Sequence, residues 1–480
     1  MSEFRRKSTK AFLWDFGGNI GMQFIAFIIS IVLTRLLEPE QFGLLGMVMV
    51  FAAVAQVFMD MGFGSALIQK QNVNPTAYST VFWFNLVIGS LISCGVFLLA
   101  PLIAVFYNEP ELEGITKLLS TVFFISSIGS IQRIMYTIKL DFKTQSIISL
   151  FTAIISGATA IYMAFNGFGV HALVFQKIIA AVLTVLSFWY LSPWRPSFVF
   201  KVEDIKSIWG YSSKEFLDRI ISTVYSKLDV LVIGKMFTPA ILGFYTRAFS
   251  LNSMVGKLTS TSLNKVFFPL ISSIQQDKER VRAVYLKIIS LVGFLAIGIS
   301  ALLFVIANDL FVILFTEKWN QSIIYFKILV ITGFTAPLSS IMLSLISGLG
   351  RPGMVLKSGI YKKGLGLVPI VVGIFNGIEA FLYARIFFGL IGFYINLVCV
   401  KKVTSISVLE QVNCFIKTLI VGILISALLV NLPSIESRIV SLIFNTSIFV
   451  LLFSIIVLLV DRKLRNILSS EMKRIKIMNK

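Results

Sequence analysis

Residues 35–43 read RLLEPEQFG, and residues 235–243 read KMFTPAILG. In both, a base is followed four residues later by proline (Pro39, Pro239) and four beyond that by glycine (Gly43, Gly243), so the pattern recurs in register at an offset of 200. Proline is favoured at the first position of a helix, and a glycine one turn further in lets a neighbouring helix come close. Each nine-residue stretch therefore reads as a helix end, a short turn and a fresh helix. Each also follows the first long apolar segment of its half of the chain. Duplication of a six-helix unit is the organisation this implies.

Outward from these turns the chain is apolar almost throughout. Of 480 residues, 57% are hydrophobic and only 14% charged, and the mean hydropathy is +0.89. Such a composition excludes a soluble enzyme, a disordered chain and a disulfide-stapled secreted domain. It also excludes an outer-membrane barrel, whose strands alternate apolar with polar. An all-α polytopic membrane protein is what remains. Windows of about twenty residues, the length that crosses a bilayer, give spans near 11–34, 42–66, 80–106, 115–136, 144–165, 169–191, 208–234, 240–263, 285–307, 322–347, 355–375, 379–399, 414–432 and 439–460. That is fourteen, with twelve the alternative; 308–316 is apolar but too short to cross.

The net charge is +20. Lysine and arginine collect in cytoplasmic loops, so the excess reads as topology. With the N-terminus inside, the inside segments hold 27 bases, and the outside turns hold Arg35, Lys235, Lys318 and Arg438. Both termini are expected in the cytoplasm, with Asn108, Asn166, Asn376 and Ser434 outside. The domains expected are a six-helix bundle over 1–200, a second over 201–405, two additional helices over 406–460 and a basic tail over 461–480. The QQDKERVR stretch at 275–282 reads as a helical extension of its neighbours.

Charges within spans are costly and normally face an interior cavity. Asp15, Asn19 and Gln23 form a polar stripe on the first span, and Asp60 stands near the inner end of the second. The seventh is densest, with Lys214, Glu215, Asp218, Arg219, Lys227 and Asp229; Glu215–Arg219 and Lys214–Asp218 are spaced to pair along the helix. Lys117, Lys214 and Lys362 lie close enough to a boundary to reach the interface on their flexible stems. Arg219, Lys227, Arg247 and Lys257 do not, and they are read as bases facing a shared cavity that prefers an anion, phosphate above all. The lone histidine, His171, and the three cysteines suggest no metal site, and without a GxxxxGK[ST] loop ATP is not the direct energy source. No catalytic residues and no cofactor are expected.

These residues resemble the bacterial polysaccharide transporter family, flippases within the multidrug/oligosaccharidyl-lipid/polysaccharide exporters. The likeness rests on Leu33-Thr34-Arg35-Leu36-Leu37 with Pro39 and Phe42-Gly43, on Asp60-Met61-Gly62-Phe63-Gly64-Ser65-Ala66-Leu67-Ile68, and on Leu242-Gly243-Phe244-Tyr245-Thr246-Arg247-Ala248. Phe268-Pro269, Lys318-Trp319 and Gly348-Leu349-Gly350-Arg351 add to it in order. The resemblance implies export of an undecaprenyl-pyrophosphate-linked oligosaccharide, of the O-antigen, capsule or colanic-acid type, from the cytoplasmic to the outer leaflet of the cell membrane. It implies alternating access, and work beside a polysaccharide polymerase and glycosyltransferases. Arg219, Lys227, Arg247 and Lys257 are then the cargo-binding bases, with Arg247 foremost, and Asp60 and Asp229 are candidates for coupling to H⁺ or Na⁺. A multidrug and toxic-compound extrusion antiporter and a peptidoglycan-precursor flippase are the alternatives. The antiporter would call for buried carboxylates without surplus bases.

Overall fold

The computed structural model describes residues 2–69, 74–432, 435–462 and 464–469. Ser434, the side chains of Asp15, Lys214 and Lys257, and the tail beyond Ser469 lie outside the described residues. Secondary structure among the described residues is helical throughout. The chain forms two compact units, Met1–Gly243 and Phe244–Lys480.

The first unit contains α1 (Ser2–Leu36), α2 (Pro39–Asp60), α3 (Phe63–Gln69), α4 (Pro75–Tyr107), α5 (Glu111–Ile128), α6 (Ser130–Ile138), α7 (Phe142–Phe165), α8 (Val170–Leu191) and α9 (Val202–Met236), and it ends in the first turn of α10 (Pro239–Ser273). The repeat behaves as its chemistry dictates. Pro39 opens α2 behind a capping box in which the Glu38 amide donates to Gln41 Oε1 at 3.1 Å. Pro239 opens α10 behind Thr238, whose hydroxyl receives the Ile241 amide. The two glycines then pack reciprocally: a Cβ on Gly43 would fall 1.8 Å from the Pro239 carbonyl oxygen, and one on Gly243 would fall 1.9 Å from that of Pro39. The two copies of the motif thus meet as near-equivalents.

Two breaks shape this unit. At the end of α2 the chain turns through Met61 (φ 37°) and Gly62 (φ 72°) into α3. A Cβ on Gly62 would lie 2.9 Å from the Ser212 carbonyl oxygen, so only glycine fits. The second break corrects an expectation. The fourth span is not one helix but α5 and α6, bent by 46°. Ser127 Oγ donates to Phe124 O and Ser130 Oγ to Ser127 O, engaging two carbonyls of the turn just before Gly129. Contacts also group α9, which the repeat places in the second half, with the first unit, along α2, α3 and α4.

The second unit continues α10 and holds α11 (Lys278–Phe315), α12 (Asn320–Ile331), α13 (Thr335–Gly348), α14 (Pro352–Thr404), α15 (Val408–Asn413), α16 (Ile416–Val430) and α17 (Arg438–Val460). Within 275–282, Asp277 starts a helix: its side chain accepts the Arg280 amide and caps α11. That helix runs on through 308–315, joining the short apolar stretch to the span before it. It is the hub on which α12, α13, α16 and α17 pack. Helix α14 is broken at Gly377 (φ 87°), at the turn expected between spans eleven and twelve.

Among the described residues, nine helical stretches are long and apolar enough to cross a membrane, or ten with α5–α6 as one span. Part of the distance to fourteen is visible in the chain. Helix α14 holds two expected spans in 53 residues, α16 has only 15 residues, and α9 carries ten charged side chains. Large apolar side chains such as Leu98, Leu102, Val105 and Phe165 point outward. Outward-facing apolar surface on this scale marks a chain solvated by lipid.

Candidate functional site

The first unit encloses a polar cavity of about 780 Å³. Gln56 and Asp60 reach it from the end of α2, Ser65 from α3, Asn85 from α4, and Arg219 from α9. The α5–α6 break contributes Ser126, Ser127, Gly129, Ser130 and Arg133, and α8 contributes Thr184 beside Ala180 and Ala181. Both breaks of the first unit serve this space. The turn at Gly62 swings Ser65 back beside Asp60, and the bend at Gly129 opens the first turn of α6 toward the interior. No side chain caps that turn, and the start of a helix carries a partial positive charge.

Two guanidiniums and one carboxylate line the wall. Arg219 is held: Nη2 donates to Glu215 Oε1 at 2.5 Å and to Ser65 Oγ at 3.3 Å, and Ser65 Oγ donates to the same Glu215 oxygen at 2.9 Å. The expected i,i+4 pair is therefore present, with a serine from α3 completing it. Asp60 receives Gln56 Nε2 at 3.0 Å and lies in the field of both Arg219 and Arg133. Arg133 makes no ion pair with any described residue. It is the base most available to an incoming anion.

Of the four bases expected to share a cavity, Arg219 alone lines this one. Lys227 borders a separate, nearly apolar cavity of about 480 Å³ between α2, α4 and α9. Arg247 belongs to the second unit, buried with its guanidinium over the rings of Phe315 and Trp319, at 5.2 and 5.5 Å. Lys257 has no described side chain. Of the two expected carboxylates, Asp60 lines the cavity; Asp229 lies half-buried on α9 and does not. Arg133 was missed because it stands at the inner end of the expected fourth span, where the charge count took it as a cytoplasmic base. The available signal was Ser126-Ser127-Ile128-Gly129-Ser130, a small polar run inside a span.

The matched family model, described as "Polysaccharide biosynthesis protein", covers residues 32–324. This chain belongs to that family. The match takes in the Pro39/Pro239 repeat, the α2–α3 turn and every residue that lines the polar cavity. Among relatives, the lipopolysaccharide biosynthesis protein WzxC of Escherichia coli (strain K12) is 26% identical over 373 residues, 77% of this chain and 75% of that one. The teichuronic acid biosynthesis protein TuaB of Bacillus subtilis (strain 168) is 26% identical over 67% of this chain and 70% of its own. The succinoglycan biosynthesis transport protein ExoT of Rhizobium meliloti (strain 1021) is 20% identical over 94% and 92%. In fold, the family member is similar to the lipid II flippase MurJ in an inward closed conformation, with a TM-score of 0.74 at 12% identity over 93% of this chain and 99% of that one. A multidrug resistance transporter in an inward-facing conformation follows at 0.58 and 14%, over 80% and 96%.

Proposed function

We propose that this family member is a flippase that carries a polyprenyl-pyrophosphate-linked oligosaccharide from the cytoplasmic to the outer leaflet of the cell membrane. The observation that carries the reading is the pair Arg133 and Arg219, with the uncapped start of α6, lining one polar cavity in a lipid-solvated bundle. A dianionic pyrophosphate cannot enter hydrocarbon without groups that replace its water. Two guanidinium forks and a helix N-terminus are such groups. The oligosaccharide finds hydroxyls and amides on the same wall, and the polyprenyl chain stays in lipid. Relatives named for lipopolysaccharide, teichuronic acid and succinoglycan support cargo of this class.

In this reading Arg219 keeps its expected contact with cargo and Arg133 joins it. Lys227 and Arg247 are assigned to packing, on an apolar wall and on two aromatic rings. Lys257 and Asp229 stay candidates on sequence grounds, and Asp60 is the carboxylate placed to couple an ion to the cargo. The duplicated halves remain 1–200 and 201–405, with 406–460 added. The membrane is the cytoplasmic one, both termini face the cytoplasm, and the chain works as a transporter, not an enzyme. A drug antiporter shares the fold, but a wall with more guanidiniums than carboxylates does not favour a cationic drug.

Complementation of a strain lacking its own exporter tests this. The Arg133→Ala/Arg219→Ala double variant should lose surface polysaccharide while membrane protein level is unchanged. Normal export by that variant would remove the reading.

A further inference from the structure

The cavity wall carries a group that the phosphate chemistry leaves unused. Asn85, on α4, is only 5% exposed. Its Nδ2 donates to Ser130 Oγ at 3.2 Å, and Ser130 Oγ in turn donates to the Ser127 carbonyl at 3.0 Å. The amide is thereby oriented. Its oxygen is buried, has no hydrogen-bond partner among the described residues and belongs to a residue that borders the cavity. An amide acceptor in that state is costly to leave unmet, about 1–3 kcal/mol.

The missing partner must donate. A fully ionised phosphate only accepts, so it is not the complement of Asn85. A sugar hydroxyl or an acetamido N–H is. Placement agrees with the chemistry: Ser130, which holds Asn85, lies one helical turn before Arg133, and residues at that spacing are neighbours on the helix surface. In a pyrophosphate-linked oligosaccharide the first sugar is bonded directly to the phosphate. A base and a sugar acceptor on adjoining turns therefore match the order of groups along the cargo.

Resting on the flippase reading, we propose that Asn85, oriented by Ser130, is a specificity-determining contact to a hydroxyl or acetamido donor on the cargo's first sugar, while Arg133 and Arg219 receive its phosphates. Asn85 thus selects sugar-bearing over sugar-free lipid.

The test measures binding of three probes to the purified full-length chain in detergent: undecaprenyl pyrophosphate, and the same lipid bearing N-acetylglucosamine or galactose. Asn85→Ala should weaken at least one sugar-bearing lipid by about tenfold, the worth of one such hydrogen bond, and leave the sugar-free lipid within about twofold of the parent. Ser130→Ala, which keeps the amide but releases it, should produce a smaller loss of the same selectivity. A fault in folding would lower all three probes together, so an equal loss overturns the proposal, as does no loss. A parent protein that binds sugar-bearing lipid no better than sugar-free lipid overturns it too and leaves the flippase reading standing. A parent that binds none of the three overturns the flippase reading itself, and this proposal with it.

Discussion

Arg133 and Arg219 carry the same charge into one cavity but under different constraints, and their variants should differ accordingly. Arg219 is tied to Glu215 and Ser65, with side chains 43% and 21% exposed for the pair, so solvent screens much of that attraction. Glu215→Gln should therefore alter export more than it alters thermal stability, because it frees a base proposed to receive the cargo. Arg133 has no such tether. Arg133→Ala should lower the export rate by roughly ten- to a hundredfold, the worth of one or two charge-assisted hydrogen bonds, with the melting temperature in detergent unchanged. Arg133→Lys should restore only part, since an ammonium lacks the planar fork. Surface polysaccharide at matched protein level reads both, and full activity of Arg133→Ala would assign the cargo to other groups.

Among the elements, the reciprocal packing of α2 and α10 is the most exposed to test. A methyl group at Gly43 would strike the backbone at Pro239, which cannot rotate aside. Gly43→Ala should therefore destabilise by about 1–3 kcal/mol, as overpacking does, and Gly43→Leu by more; detergent melting curves measure this. The symmetrical Gly243→Ala should match it, and a silent Gly243→Ala would separate the two copies. The α4–α5 turn makes a pH prediction. Glu109 has its carboxyl raised above the usual range by burial and by Glu40 and Glu111 nearby. The folded chain then binds that proton more tightly than the unfolded one, so this group's contribution to stability falls as pH rises through and just above the usual glutamate range, and is recovered as pH falls. Glu109→Gln should flatten that slope.

For the whole molecule, apolar runs and the two Pro–Gly turns made the helices and lipid solvation readable, because each follows from local composition. The cavity was not readable in the same way. A hydropathy window averages across Ser126–Ser130, so it hides the bend that turns Arg133 inward, and a single chain does not reveal that α9 shares walls with α3 and α8. Arg247 looked functional by its motif, yet its neighbours are Phe315 and Trp319, some seventy residues away in sequence. Charge counting gave an orientation that can now be tied to the site. Helix α2 starts at the turn beside Arg35 and ends at Asp60, and 22 residues at about 1.5 Å each cross most of a bilayer. If Arg35 is outside, the cavity at Asp60 opens toward the cytoplasm, on the leaflet where cargo would load. Single cysteines in a background without Cys94, Cys399 and Cys414 decide the matter. Asn108→Cys, Asn166→Cys and Asn376→Cys should react with an impermeant thiol reagent added to intact cells, and Arg351→Cys and Ser405→Cys only after the membrane is opened. The reverse pattern would place the Asp60 end outside and make the cavity, as it stands, a site for release instead of loading.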